Sequence, residues 1–254
     1  MKDFLQKQIA YFARINHSER FLWQTSDAFV MEHEHATLRP FVEEIKKIIL
    51  QKGKIKILES GSGEGVNFIH IKQMGIDFEK VDIEGIDPCA EAVEVANQYG
   101  LNCTVADGLA LPYPAETFDI VFCRDVLHHL ANDDERKKFL SEMTRVTKLA
   151  GCIVAIEPSP GNPLIFVQSC VLWAERGLRA MKSSHVLRWK SGARVIEEAP
   201  SASWRVLWHY TSPLRRYPQF SKVILQILRA WEIVCRNLPK YFWSYRIYIW
   251  KKES

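Results

Sequence analysis

Apolar positions recur along this chain with two periods, and the switch between them predicts the fold. Up to Gly53 the spacing is helical: Phe41, Ile45, Ile48 and Ile49 share one face, so residues 1–50 read mainly as helix. Beyond it, short apolar runs at 55–59, 81–86, 101–105, 118–123 and 152–157 read as strands. Amphipathic helical stretches at 66–74, 90–99 and 133–147 separate them, and Gly75, Gly100, Gly151 and the Asp87-Pro88 pair serve as stops. Such alternation predicts an α/β domain, a parallel sheet covered by helices on both faces, with ligands beyond the carboxyl ends of its strands.

The C-terminal third is less regular. Residues 191–199 read as a further helix, 204–210 (WRVLWHY) as a sixth strand and 245–251 (YRIYIWK) as a seventh. Insertions at about 159–190 and 211–243 leave the fifth and sixth strands at the same edge, which predicts one cap over the ligand site. A helix over 220–236 would place Lys222, Gln226, Arg229 and Arg236 on one side and Ile224, Ile227, Leu228, Trp231 and Val234 on the rest. An apolar face with a basic rim suits an amphiphile or an anionic membrane surface.

Charge sharpens that contrast. The 254 residues carry a net +4, but residues 161–254 hold 16 Lys/Arg against 5 Asp/Glu, and seven of the eight tryptophans. The first 160 residues hold 18 against 25. A basic, Trp-rich end implies an anionic partner: a lipid surface, an acidic small molecule or nucleic acid. Six cysteines without a CxxC pair read as reduced core residues of a cytosolic protein. No signal peptide and no apolar run of roughly 18 residues is seen, so a cytoplasmic protein, or one peripheral to a membrane, is expected.

The stretch ILESGSGEGVNF (57–68) carries the chemistry. Gly61, Gly63 and Gly65 follow a strand directly, baring the main chain to a ligand at a helix N-terminus. A dinucleotide is one such ligand, although Val66 stands where its fingerprint has a third glycine. S-adenosylmethionine is the other, with Glu59 placed to receive an ammonium directly or through water. Asp87 ends the second strand, where a carboxylate can take both ribose hydroxyls. Asp107 and Gly108 follow the third, with Leu109 and Leu111 to flank an adenine.

Residues 57–65, 85–88, 105–113, 118–130 and 149–157 fall in the order and spacing of class I S-adenosylmethionine-dependent methyltransferases. FDIVFCRDVLHHL resembles the fourth-strand motif of their small-molecule and quinone-type members. The resemblance covers about residues 54–158. It implies a Rossmann-like sheet of seven mostly parallel strands with the last antiparallel, and helical cap insertions. It makes 51–254 the methyltransferase domain and 1–50 a helical extension over the cofactor, aided by Tyr11, Phe12, Trp23 and Phe29. Carried over by position, Glu59, Gly61, Ser62, Gly63, Asp87, Pro88, Asp107, Gly108 and Arg124 would bind S-adenosyl-L-methionine (and the S-adenosyl-L-homocysteine product), Arg124 chiefly through its backbone. KLAG at 148–151 departs from the family's KPGG by one turn glycine.

Methyl transfer from a sulfonium needs alignment more than acid–base help. His128 and His129 are the candidate catalytic residues, His128 as base or orienting group, with Asp125 to hold either. The EHEH run at 32–35 lacks the HExxH spacing and a second cluster, so no metal is expected. The acceptor read from this pattern is small and hydrophobic or amphiphilic. RNA is the rival, and a non-catalytic cofactor-binding scaffold is a third reading.

Overall fold

The computed structural model describes residues 2–190, 194–198, 223, 225–227, 229–230, 237, 239 and 243–253. Three helices come first: α1 (Lys2–Phe12), α2 (His17–Ser26) and α3 (Ala28–Lys52). Then β1 (Ile55–Ser60), α4 (Val66–Gln73), β2 (Val81–Asp87), α5 (Ala90–Gln98), β3 (Cys103–Val105) and β4 (Phe118–Arg124) alternate. A 3₁₀ turn, Leu127–His129, leads to α6 (Asp133–Val146) and β5 (Thr147–Pro158). The first cap insertion holds α7 (Pro163–Val171), a 3₁₀ segment (Trp173–Ala180) and α8 (Ser183–Trp189), followed by β6 (Arg194–Glu198) and β7 (Tyr245–Lys251).

The seven strands lie in the order β3-β2-β1-β4-β5-β7-β6, with β7 antiparallel to both its neighbours. Strand alternation divides the core. Ile57, Ile120, Phe122, Val154, Ile156, Ile247 and Ile249 face one way, packing with Leu38, Phe41 and Ile45 of α3, Phe68 and Ile71 of α4 and Val93 of α5. Leu58, Val121, Cys123, Ile153, Ala155, Tyr248 and Trp250 face the other, onto Phe139, Leu140 and Met143 of α6 and Val186 and Trp189 of α8.

The predicted helix at 191–199 is instead β6 over 194–198. Its backbone pairs with β7, Arg194 opposite Ile249 through Glu198 opposite Tyr245. A β-branched Val-Ile pair beside an open ladder follows tertiary pairing over local helix propensity. The predicted strand at 204–210 lies outside the described residues, as do Lys222, Ile224, Leu228, Trp231, Val234 and Arg236. Of that predicted helix, positions 223, 225–227 and 229–230 are helical, and the Arg229 guanidinium is paired with Glu32 of α3 rather than standing clear as a rim charge. Cys89, Cys103, Cys123 and Cys152 are buried free thiols, but Cys170 is exposed, and Cys235 lies outside the described residues. Among the described residues no helix is long and apolar enough to cross a membrane.

Asp119 closes the amino-terminal edge of the sheet. Its carboxylate accepts from Lys52 Nζ (2.7 Å), Lys148 Nζ (2.9 Å) and the Lys56 N–H (3.0 Å). Burial pushes its pKa up, yet these donors outweigh that and hold it below the usual value. A depressed folded pKa means stabilisation that is full above about pH 4 and lost as pH falls further. Asp119→Asn is therefore expected to cost about 1–3 kcal/mol at pH 7. In urea titrations the gap to the unsubstituted protein should narrow below about pH 4.

Candidate functional site

The chain turns from β1 into α4 through five residues with three left-handed glycines. A Cβ on Gly61 (φ +85°) would meet Val126 Cγ2 at 2.4 Å, so this glycine lets the loop pass close to the turn after β4. Gly63 (φ +53°) has nothing within 4 Å of where its Cβ would be, and its N–H donates to Asp87 Oδ2 at 2.9 Å. The other Asp87 oxygen accepts from the Cys89 N–H at 2.8 Å. Burial raises the Asp87 pKa, and the two N–H donors pull against it. Asp107 is exposed and accepts from the Leu109 N–H at 2.8 Å.

These residues line one end of a cavity of about 950 Å³, together with Ser62, Pro88 and Gly108. Gly108 also serves packing, since a Cβ there would lie 2.4 Å from Phe139. Leu109 lines the cavity, whereas Leu111 is in the core. The volume sits at the upper end of small-ligand sites, about 300–1,000 Å³. A bared glycine backbone beside two carboxylates fits the adenosine part of the expected cofactor.

Glu59 is fully buried and lies beneath this wall rather than on it. It accepts from Asn67 Nδ2 at 2.5 Å, and its second oxygen is buried without a partner. Burial pushes its pKa up to about 8, against the Asn67 hydrogen bond. An orphaned carboxyl oxygen fits an ammonium reached through Asn67 or water.

Arg124 is the hub of this floor. Its NH1 donates to Asn67 Oδ1 at 3.0 Å and to Glu34 of α3, and the guanidinium lies 5.5 Å from the centroid of the Tyr245 ring. Burial raises the Glu34 pKa, but the guanidinium outweighs that and holds it below its usual value. The side chain of Arg124, not its backbone alone, thus defines the site. Glu34, the third residue of the EHEH run, is taken up by this ion pair, while His35 Nε2 sits 3.3 Å from Gln73 Oε1.

The turn after β4 holds the two histidines. His128 is buried between carboxylates, with Nδ1 2.7 Å from Glu157 Oε2 and Nε2 3.4 Å from Glu175 Oε2. Burial would depress its pKa, but the two acids outweigh burial and push it up to about 10. Both of its ring nitrogens thus face protein carboxylates. Burial lowers His129 to about 3, with the neighbouring His128 charge adding to the effect, and its Nδ1 is buried without a partner. Asp125, left-handed at φ +56°, is half-buried, lines the cavity and accepts from Tyr245 OH at 3.4 Å. Burial raises it to about 6, with the Arg124 charge opposing.

Helices α1–α3 wall the cavity with Ile9, Phe12, Trp23 and Val30. Of the aromatics expected there, Phe12 and Trp23 take part, Phe29 is in the core and Tyr11 is largely exposed. Asn67, Glu34, Glu157 and Glu175 escaped the sequence reading. Glu157 ends the fifth strand where a ligand-facing acid is ordinary, a signal that was available. Glu175 had none.

Residues 58–155 match the methyltransferase domain family. The chain is 33% identical over 98 residues to a tRNA (carboxymethyluridine(34)-5-O)-methyltransferase of Arabidopsis thaliana, covering 39% of this chain and 22% of that protein. It is 28% identical over 115 residues to norajmaline N-methyltransferase of Rauvolfia serpentina, covering 44% and 35%. The chain thus spans well under half of these relatives' lengths. Among solved structures, a S-adenosylmethionine-dependent methyltransferase of Thermotoga maritima superposes with a TM-score of 0.54 at 17% identity, covering 74% of this chain and 83% of that one, a likeness of fold.

Arg124→Met would strand the buried Glu34 charge. It should cost about 3–5 kcal/mol in chemical unfolding, and adding Glu34→Gln should recover part of the loss.

Proposed function

We propose that this chain, which carries a class I S-adenosylmethionine-dependent methyltransferase domain at residues 58–155, transfers the methyl group to a small acceptor with an apolar body. One observation carries the reading of the acceptor: the cavity lining includes the apolar cap residues Ile165, Val167, Val171 and Leu172. Three of them, Val167, Val171 and Leu172, are also largely exposed, so the mouth itself is apolar. A separate cavity of about 440 Å³, lined by Phe166, Arg179, Lys182 and Arg246, adds a basic surface to the same cap. That pairing suits an amphiphile or an anionic surface beside the cap.

When bound, the cofactor supplies an electrophilic methyl on a sulfonium. The protein's residues then bind and orient. Gly61–Gly63, Asp87 and Asp107, which all line the cavity, would hold the nucleoside part of the cofactor. Helices α1–α3 and the cap exclude water. Alignment of this kind can supply on the order of 7–11 kcal/mol. Asp125 is the carboxylate placed to take a proton from a weak nucleophile, and His128, held between Glu157 and Glu175, fixes the turn that follows it.

RNA is the second reading, favoured by the likeness to the Arabidopsis tRNA enzyme and by the basic C-terminal third. Incubation with labelled S-adenosylmethionine and fractionated cell extract separates the two. Label in organic solvent supports the small acceptor; label in RNA, with steeply salt-dependent binding, overturns it.

Two variants test the assigned halves of the cavity. Asp87→Ala should weaken S-adenosylhomocysteine binding roughly 10- to 100-fold in calorimetry. Val171→Glu should leave that affinity intact and raise the acceptor KM roughly tenfold or more.

A further inference from the structure

Where the cap meets the turn after β4, a ring nitrogen from each of His128 and His129 and a carboxylate oxygen of Glu175 lie within 4.8 Å of one another. We propose that these three residues bind one divalent transition-metal ion at the acceptor end of the cavity.

Four observations on the geometry support it. His128 Nε2 and Glu175 Oε2 are 3.4 Å apart, which is about the edge of a tetrahedron with bonds of about 2.1 Å. His129 has a buried ring nitrogen, Nδ1, that no protein group satisfies. Such an orphan costs free energy unless something binds it. Glu157, itself fixed by the Val126 and Leu127 N–H groups at 3.0 and 2.7 Å, takes the Nδ1 hydrogen of His128 and turns Nε2 toward Glu175. A carboxylate behind a ligating imidazole is the usual outer support of a metal site. Finally, a Cβ on Gly177 would lie 1.7 Å from His128 O, so the segment bearing Glu175 packs main chain to main chain on the histidine turn. The cluster is thereby held by the fold rather than by free side chains.

Two imidazoles and one carboxylate suit Zn²⁺, Mn²⁺, Fe²⁺ or Co²⁺ more than Mg²⁺. Three protein ligands leave positions open to solvent or ligand, and all three residues line the cavity. An acceptor oxygen bound there would lose its proton more readily. The acceptor class that follows carries an ionisable oxygen, such as a phenol, enol or hydroxy acid. This last step rests on the proposed methyl transfer; the metal site does not. The EHEH run is a separate place, its Glu34 already held by Arg124.

The test uses the full chain, stripped with EDTA and titrated with Zn²⁺ by calorimetry and with Co²⁺ by visible absorption. The expected result is one equivalent bound, with Co²⁺ bands of a low-coordinate site. His129→Ala and Glu175→Gln should each weaken binding at least 100-fold while keeping a cooperative thermal transition. Glu157→Gln should weaken it about 10- to 100-fold. His35→Ala should leave it unchanged. No uptake by the unsubstituted protein, or uptake equally tight in His129→Ala and Glu175→Gln, overturns the proposal. S-adenosylhomocysteine titrated into the same sample keeps the two readings apart: heat from it without metal binding sinks only the metal site, and no heat from it sinks the methyl-transfer reading.

Discussion

The Arg124 guanidinium, buried at the carboxyl end of β4, is the constraint on which the rest of the site depends. A charge taken out of water costs several kcal/mol unless it is paired and its hydrogens are used. Glu34 provides the pairing from α3, Asn67 provides an acceptor from α4, and Asn67 in turn reaches Glu59 at the end of β1. One buried cation therefore ties the helical extension, the first strand and the first crossover helix to a single geometry. The extension is part of the site's foundation, because its Glu34 pairs with the guanidinium from one side while Asp125 lies 3.6 Å from Arg124 Nε on the other.

The same chain of contacts explains why Glu59 is orphaned on one oxygen. Asn67 gives one N–H to Glu59 Oε1 and takes the Arg124 hydrogen on its carbonyl, which fixes the orientation of its amide. The second Glu59 oxygen faces no protein donor. Left as an anion it would be expensive, and burial accordingly favours the protonated form. A positive charge brought close to it would reverse that preference.

The parts legible in the sequence were those governed by local pattern. Near-continuous apolar runs such as 118–123, buried on both faces, and period-3.6 runs such as 133–147 set strands, helices and their order. The glycines at 61 and 63 announced a backbone-lined ligand site for the same kind of reason. What stayed hidden was set by distance. Nothing local in ARVIEE says that β7 will offer it an antiparallel edge, so helix propensity misled at 191–199. Nothing local in EHEH says that Glu34 will meet an arginine 90 residues away. The histidine pair was visible as chemistry, but its protonation was not, since Glu157 and Glu175 come from 29 and 47 positions further along.

The cap's position follows from one close approach. Gly177 sits so near the His128 carbonyl that any side chain there would collide with backbone. Backbone cannot swing aside as a flexible side chain can, so the contact sets how deep the 3₁₀ segment seats. Glu175 lies two residues before it, and its distance to His128 is therefore a consequence of main-chain packing. On the opposite side Phe12 of α1 meets the His129 ring edge-on at 5.2 Å, and Gln8 donates to the Ala174 carbonyl at 3.4 Å. The first helix and the cap thus close on the histidine turn from two directions, each touching the other. A cavity roofed by two elements so distant in sequence cannot open at one without loosening the other. Access for an acceptor and the placement of Glu175 are accordingly one conformational variable rather than two.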